Sequence, residues 1–321
     1  HYLIHAYDYP PIADKGLTAA KRYAEIAPSA PHALHMPSHI FTRVGAWQES
    51  VATNRRSAAI ALVDKDPNSA LHAMDYMVYA DLQLAREKDA GSVLQEARGF
   101  TGINPNNRGS AYALAAIPAR ILLEQGLWKE AMQLEPRPSK FPYTEAITYF
   151  ARALGAARSG DVAAADKGVQ ELTRIVDGLK SAKDNYWANE VEVQRLSAAA
   201  WNAQAKGNQD EGLTLMHSAV DMEDKSEKAA VTPGRLVPAR ELLGEMLLEM
   251  NQAAEALQAF ETSDKRDPNR FRGIYGAAKA AAQAGDQAKA RSYYEKLVML
   301  AQNADTERPE LIEAKAFLAE K

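Results

Sequence analysis

The sequence predicts an all-α protein made of antiparallel helix pairs in one continuous array over residues 1–321. Alanine is used heavily while valine, isoleucine and threonine are sparse, which favours helices over strands. Turn signals recur along the chain, with a weaker one near Lys88-Asp89, and the intervals from Gly126 to Gly160 and from Asn251 to Gly285 are both 34 residues. No segment shows the strong apolar–polar alternation of a strand. We therefore expect about seven helix pairs and no sheet.

Composition excludes several classes of function. The net charge is only −4 and no block of basic residues is present, so nothing indicates nucleic-acid binding. The chain has no cysteine, which excludes disulfides, thiolate metal ligands and cysteine nucleophiles. No apolar run approaches the roughly 18 residues of a membrane-spanning helix. Phosphate-binding loops, nucleophile elbows and His-Glu-x-x-His pairs are also missing, so the sequence favours binding over catalysis.

The most regular repeats lie in residues 235–300. A helical stretch ending at Ala284 is followed by the turn Gly285-Asp286, then by Ala290 and by the aromatic Tyr294. One period upstream, Ala256 and Phe260 take the corresponding places. This pattern resembles the tetratricopeptide repeat (TPR), and the resemblance implies a right-handed superhelical α-solenoid with a concave groove for ligands.

Other repeats depart from the 34-residue period. Residues 179–187 and 224–234 are expected to be insertions, present either as longer helices or as loops. The first repeat lacks the start of its first helix when it is aligned on the second, so we expect further helices before His1 in the full protein.

Histidines are concentrated at the N-terminal end, in residues 1–60. Five of the seven, His1, His5, His32, His35 and His39, lie within the first 39 residues. His1 and His5 are four residues apart, as are His35 and His39, so each pair shares a helix face. Because 34 residues separate the pairs, they are expected on equivalent faces of adjacent helices. Neutral imidazole is the commonest metal ligand, so this pattern predicts a candidate site for zinc or, next, copper. The alternative is that the imidazoles pack and hydrogen-bond between helices or bind a peptide.

The proposed ligands are His1, His5, His35 and His39, with His32 in reserve and Asp8 as the acceptor that orients an imidazole. Pro37 stands between two of these histidines, and a proline inside a helix bends it, so a kink would change the directions of the imidazoles.

The first hypothesis for function, to which the metal site is the alternative, is that the concave surface binds a protein or peptide partner. By the TPR resemblance, five residues fall at groove positions: Asp8, His32, Arg43, Arg120 and Trp201. Arginine and aromatic anchors dominate many interfaces, although core packing is the equal alternative for Trp201. This groove hypothesis predicts a scaffold protein. A third alternative is small-molecule binding in a pocket closed by the insertions.

The segment His32-Ala33-Leu34-His35-Met36-Pro37-Ser38-His39-Ile40-Phe41 is similar to a subset of bacterial TPR proteins without an assigned activity. The specific resemblance covers about residues 1–60, and it favours an exported or periplasmic protein over a cytoplasmic one. Neither the partner nor the metal follows from it.

Overall fold

A computed structural model describes residues 1–320, and it is all-helical: 75% of the chain is helix and the described residues contain no strand. A 3-10 turn occupies Pro10–Gly16. The α-helices are α1 Tyr2–Tyr7, α2 Leu17–Ile26, α3 Pro31–His35, α4 Pro37–Arg43, α5 Trp47–Val63, α6 Pro67–Gln83, α7 Glu87–Arg98, α8 Arg108–Glu124, α9 Trp128–Met132, α10 Pro142–Arg158, α11 Val162–Ser181, α12 Asn185–Ala205, α13 Gln209–Asp224, α14 Ala239–Glu249, α15 Ala253–Arg266, α16 Phe271–Gln283, α17 Gln287–Leu300 and α18 Pro309–Ala319.

Local sequence signals set the helix ends. Asp66, Asn107 and Asp161 are N-caps whose side chains accept hydrogen bonds from backbone N–H groups of the first turn. The predicted turn residues Gly126 and Gly160 have φ of 66° and 81°, the left-handed conformation that a glycine adopts without steric cost. The residues at these helix ends therefore specify the caps and the turns between helices.

Pro37 interrupts the first helix of the second pair, as predicted. Helix α3 ends at His35 and α4 begins at Pro37, with Met36 between them. A proline has no N–H to donate and its ring clashes with the preceding turn, which breaks the helix here. Met36, between the two helices, keeps right-handed helical dihedral angles, with φ −50° and ψ −40°.

Small residues let neighbouring helices approach. The ring of Phe260 on α15 packs against Gly244 of α14 and Gly276 of α16. A Cβ atom at Gly244 would lie 2.7 Å from that ring, closer than real side chains pack. Many helices pack on their neighbours in sequence, as α5 does on α6 and α12 on α13, whereas α8 packs mainly on α6 and α10.

Contacts between the two ends of the array were not expected from the repeat pattern. The Trp47 indole N–H donates to the carbonyl of Asn269 at 2.7 Å, across 222 residues. The amide of Phe271 donates to Gln83 Oε1 at 2.9 Å. The last helix pairs thus return to pack on the second and third pairs.

Residues 225–238, between α13 and α14, form a non-helical segment that we call the strap. Its Thr232 carbonyl accepts a hydrogen bond from Tyr76 of α6 at 3.1 Å, and its Gly234 carbonyl accepts one from Arg120 of α8 at 2.9 Å. The expected insertion at 224–234 is therefore mostly a covering segment. The one at 179–187 instead lengthens α11 and α12, with a short turn between them.

Within residues 1–320, no helix has both the length and the apolar character that crossing a lipid bilayer requires.

Candidate metal centre

Six histidines form one continuous cluster at the N-terminal end of the array. Neighbouring ring centroids are 4.8 to 6.3 Å apart within the set His1, His5, His32, His35 and His39, and His72 lies 4.4 Å from His35. The cluster has an exposed part, His1, His5 and His32, and an inner part built on α3, α4 and α6.

The inner part is a triad of His35, His39 and His72. One nitrogen of each imidazole can be chosen so that all three lie within 4.8 Å of one another. His35 and His39 are both only 2% exposed, and they stand four residues apart on either side of Pro37. In residues 1–320 this is the only group of three or more histidine or acidic side chains whose donor atoms come so close.

Asn54 fixes the tautomer of His35. The Asn54 amide donates through Nδ2 to the carbonyl of Ser50 at 2.8 Å, which leaves its Oδ1 as an acceptor. That oxygen lies 2.7 Å from His35 Nδ1, so Nδ1 carries the proton and donates it. The remaining ring nitrogen, Nε2, therefore presents a lone pair.

Asp8 fixes the tautomer of His39 in the same way. The His39 Nδ1–H donates to Asp8 Oδ2 at 3.0 Å. Asp8 also accepts from Arg43 Nε at 2.7 Å and from Lys228 Nζ, on the strap, at 3.3 Å. Burial alone would raise the pKa of Asp8, but the His39 hydrogen bond and the positive charges of Lys228 and Arg43 lower it overall. An ionised Asp8 accepts hydrogen bonds only, so His39 Nε2 is also bare.

The two bare Nε2 atoms of His35 and His39 face each other at 3.2 Å. Burial lowers the pKa of His39 to about 4 and moves that of His35 well below its usual value, so neither ring holds a second proton at neutral pH. Two lone pairs at this distance repel unless a cation lies between them. Two nitrogen ligands about 2.0–2.1 Å from a tetrahedral ion lie roughly 3.3–3.4 Å apart, close to the observed separation.

His72 supplies the third imidazole. Its Nδ1 is buried and has no hydrogen-bond partner, which is costly for a polar atom unless a ligand completes it. Burial lowers the pKa of His72 to about 3, and nearby His39, His32 and Lys228 contribute in the same direction. The Tyr76 ring packs against all three imidazoles, and its hydroxyl is tied to the strap.

The structure brings together part of the proposed ligand set. His35 and His39 lie in the close group, which also contains His72, whereas His1 and His5 are exposed and their nitrogens lie outside it. His32 is also exposed and lies beside the triad, 6.3 Å from His35 between ring centroids. Of His1 and His5, only His5 lies beside the triad, with its ring centroid 5.7 Å from that of His39.

The proposed groove residues are mostly covered by the chain itself. Arg120 is fully buried between Asp75, at 2.8 Å, and the strap. Trp201 is 2% exposed and stacks under the Arg158 guanidinium, 3.9 Å from its ring centroid. Arg43 is buried on Asp8, which leaves His32 as the exposed member of the set.

The sequence contains a signal that His72 belongs to the histidine cluster. The turn of the third pair is at Ala85, with φ 55°, and not near Lys88 as the sequence suggested. Counted from that turn, His72 stands thirteen residues earlier, as His32 does before Gly45. His72 is thus the repeat equivalent of His32, and placing the turn correctly would have brought it into the cluster.

A comparison with models of known protein families finds no match, and a comparison with curated proteins finds no relative of this chain. The geometry of the triad therefore carries the functional argument.

Proposed function

We propose that this protein binds a transition-metal ion, Zn²⁺ in the first instance and copper next, through His35, His39 and His72. The observation that carries the proposal is the pair of facing, unprotonated Nε2 atoms 3.2 Å apart, with His72 in the same close group of imidazoles. A bound cation would relieve the repulsion and complete the coordination of all three rings.

The ligand chemistry favours a borderline ion. Imidazole suits zinc, copper, nickel and iron, whereas magnesium and calcium prefer oxygen ligands. Hydrogen bonds from Nδ1 of His35 to Asn54 and from Nδ1 of His39 to Asp8 supply the outer partners that metal-bound histidines commonly have. Three protein ligands leave one tetrahedral position for water or another ligand.

The test is zinc titration of the metal-free protein, purified without a histidine tag, by calorimetry. We expect one ion per chain, and His72→Asn to weaken binding by more than the roughly 100-fold that loss of an outer partner can cost. His217→Asn is the matched control, because His217 is exposed on α13 and outside the cluster. Equal affinities of both variants and the parent would refute the site.

Partner binding in a concave groove is the second candidate, and it requires the strap to move. Arg120 and Tyr76 both hold strap carbonyls, so a peptide would have to displace these hydrogen bonds before reaching α6 and α8. For this reason the metal site is the better supported function.

A TPR-type right-handed superhelix is our proposal for the arrangement of the helix pairs. Sequential packing of neighbouring helices, and the recurring small and aromatic residues such as Ala290 and Tyr294 in the core, support it. A crystal structure that gives the handedness of the array would test it.

A further inference from the structure

Three exposed imidazoles stand directly outside the triad. His1 lies 4.8 Å from His5 and 5.2 Å from His32 between ring centroids. From this outer group, His5 reaches His39 at 5.7 Å and His32 reaches His35 at 6.3 Å. His5 and His32 are therefore each one side-chain rotation from a ring of the triad, and all three outer rings are exposed within residues 1–320.

We propose that His1, His5 and His32 form an acquisition shell that captures the metal ion from solvent and passes it to His35 and His39. This inference rests on the proposed metal site. In each step an incoming imidazole nitrogen bonds to the ion before an outgoing water or imidazole leaves. The charge and oxidation state of the ion do not change, and no co-reactant is needed.

Charge and packing favour approach of the metal ion from the side of His1, His5 and His32. On the Asp8 side of His39, Arg43 and Lys228 carry positive charges that repel an approaching cation. The Tyr76 ring, held by the strap, covers another side. His72, at the far end, is half-buried and lies near Gly109 without a further histidine beyond it.

We expect the acquisition shell to change the rate of metal binding more than the affinity for the metal ion. A weakly bound ion at His5 and His32 is held at high effective concentration beside the triad. Removing both side chains should therefore slow capture and release by about tenfold while leaving the equilibrium constant unchanged.

The experiment uses stopped-flow mixing of the metal-free full chain with Co²⁺, followed by its visible absorption, and with Zn²⁺ against a fluorescent chelator. We expect H5N/H32N to bind about tenfold more slowly than the parent, with equal affinity and stoichiometry. H217N should bind at the parental rate.

Two outcomes would overturn the acquisition shell. An unchanged association rate in H5N/H32N would place access elsewhere, for example at His72. An unchanged rate with a large loss of affinity would make His5 and His32 ligands of the bound ion. If the proposed metal-binding function itself were wrong, the parent chain would bind neither Co²⁺ nor Zn²⁺, which distinguishes that failure from the two outcomes above.

Discussion

Lys228 Nζ lies 3.3 Å from Oδ2 of Asp8, the same oxygen that accepts the hydrogen bond from His39. One carboxylate thus joins the strap to the histidine triad across 220 residues. Burial lowers the pKa of Lys228 to about 8, while the charge of Asp8 opposes that shift. Asp8 therefore contributes both to the position of the strap and to the orientation of His39.

Replacing Asp8 should weaken metal binding without removing a ligand. In Asp8→Asn the amide can still meet His39 but loses the charge that stabilises its N–H donor, so we expect zinc affinity to fall by about 10- to 100-fold. Calorimetric titration measures this, with the exposed Asp14→Asn as the control. Parental affinity in Asp8→Asn would contradict the orienting role.

The Asp75–Arg120 pair should behave as a buried ion pair. Asp75→Asn leaves the fully buried Arg120 without its charge partner and should lower the free energy of unfolding by about 3–5 kcal/mol. The double variant Asp75→Leu with Arg120→Met should be less destabilised than the sum of its single variants, because it leaves no unpaired charge. Urea denaturation measures the parent and all four variants, and strict additivity would contradict the coupling.

Stability should depend on pH through Asp81. Burial raises the pKa of Asp81 to about 7, and neither carboxylate oxygen has a hydrogen-bond partner. The folded chain therefore keeps a proton that the unfolded chain loses near its usual pKa, so this contribution to stability is present at low pH and is lost as the pH rises to 7. Relative to Asp81→Asn, the parent should lose up to about 4 kcal/mol between pH 4 and pH 8.

Urea denaturation of both proteins at the two pH values measures that difference. Asp64→Asn, at an exposed aspartate, provides the control and should follow the parent. A constant difference between the parent and Asp81→Asn would show that Asp81 titrates normally.

Contact between the ends of the array should be measurable at Trp47. Trp47→Phe keeps an aromatic ring but removes the hydrogen bond to the Asn269 carbonyl, so we expect a loss of about 1 kcal/mol in the free energy of unfolding. Proteolysis within residues 269–320 should also become faster if these contacts hold the last helices in place. Unchanged stability and proteolysis would mean that the contact contributes nothing.

Local features could be predicted from the sequence, and distant contacts could not. Gly126 and Pro37 act on their own backbone, so the turn and the helix break follow from residue type alone. Ala85 adopts a positive φ without being glycine, which displaced the predicted turn and hid His72. The path of the strap over Arg120 depends on residues more than 100 apart in sequence, and no local pattern encodes it.

Closure of the array has a consequence for how the chain folds. In an open repeat protein, neighbouring units can form one after another and terminal units can be removed with little effect on the rest. Here Trp47 cannot meet Asn269, nor Gln83 the amide of Phe271, until both ends of the chain exist. Contacts of such long sequence separation slow folding because their loop entropy is lost before they form. During synthesis these contacts of the early helices form only after the last helices have emerged.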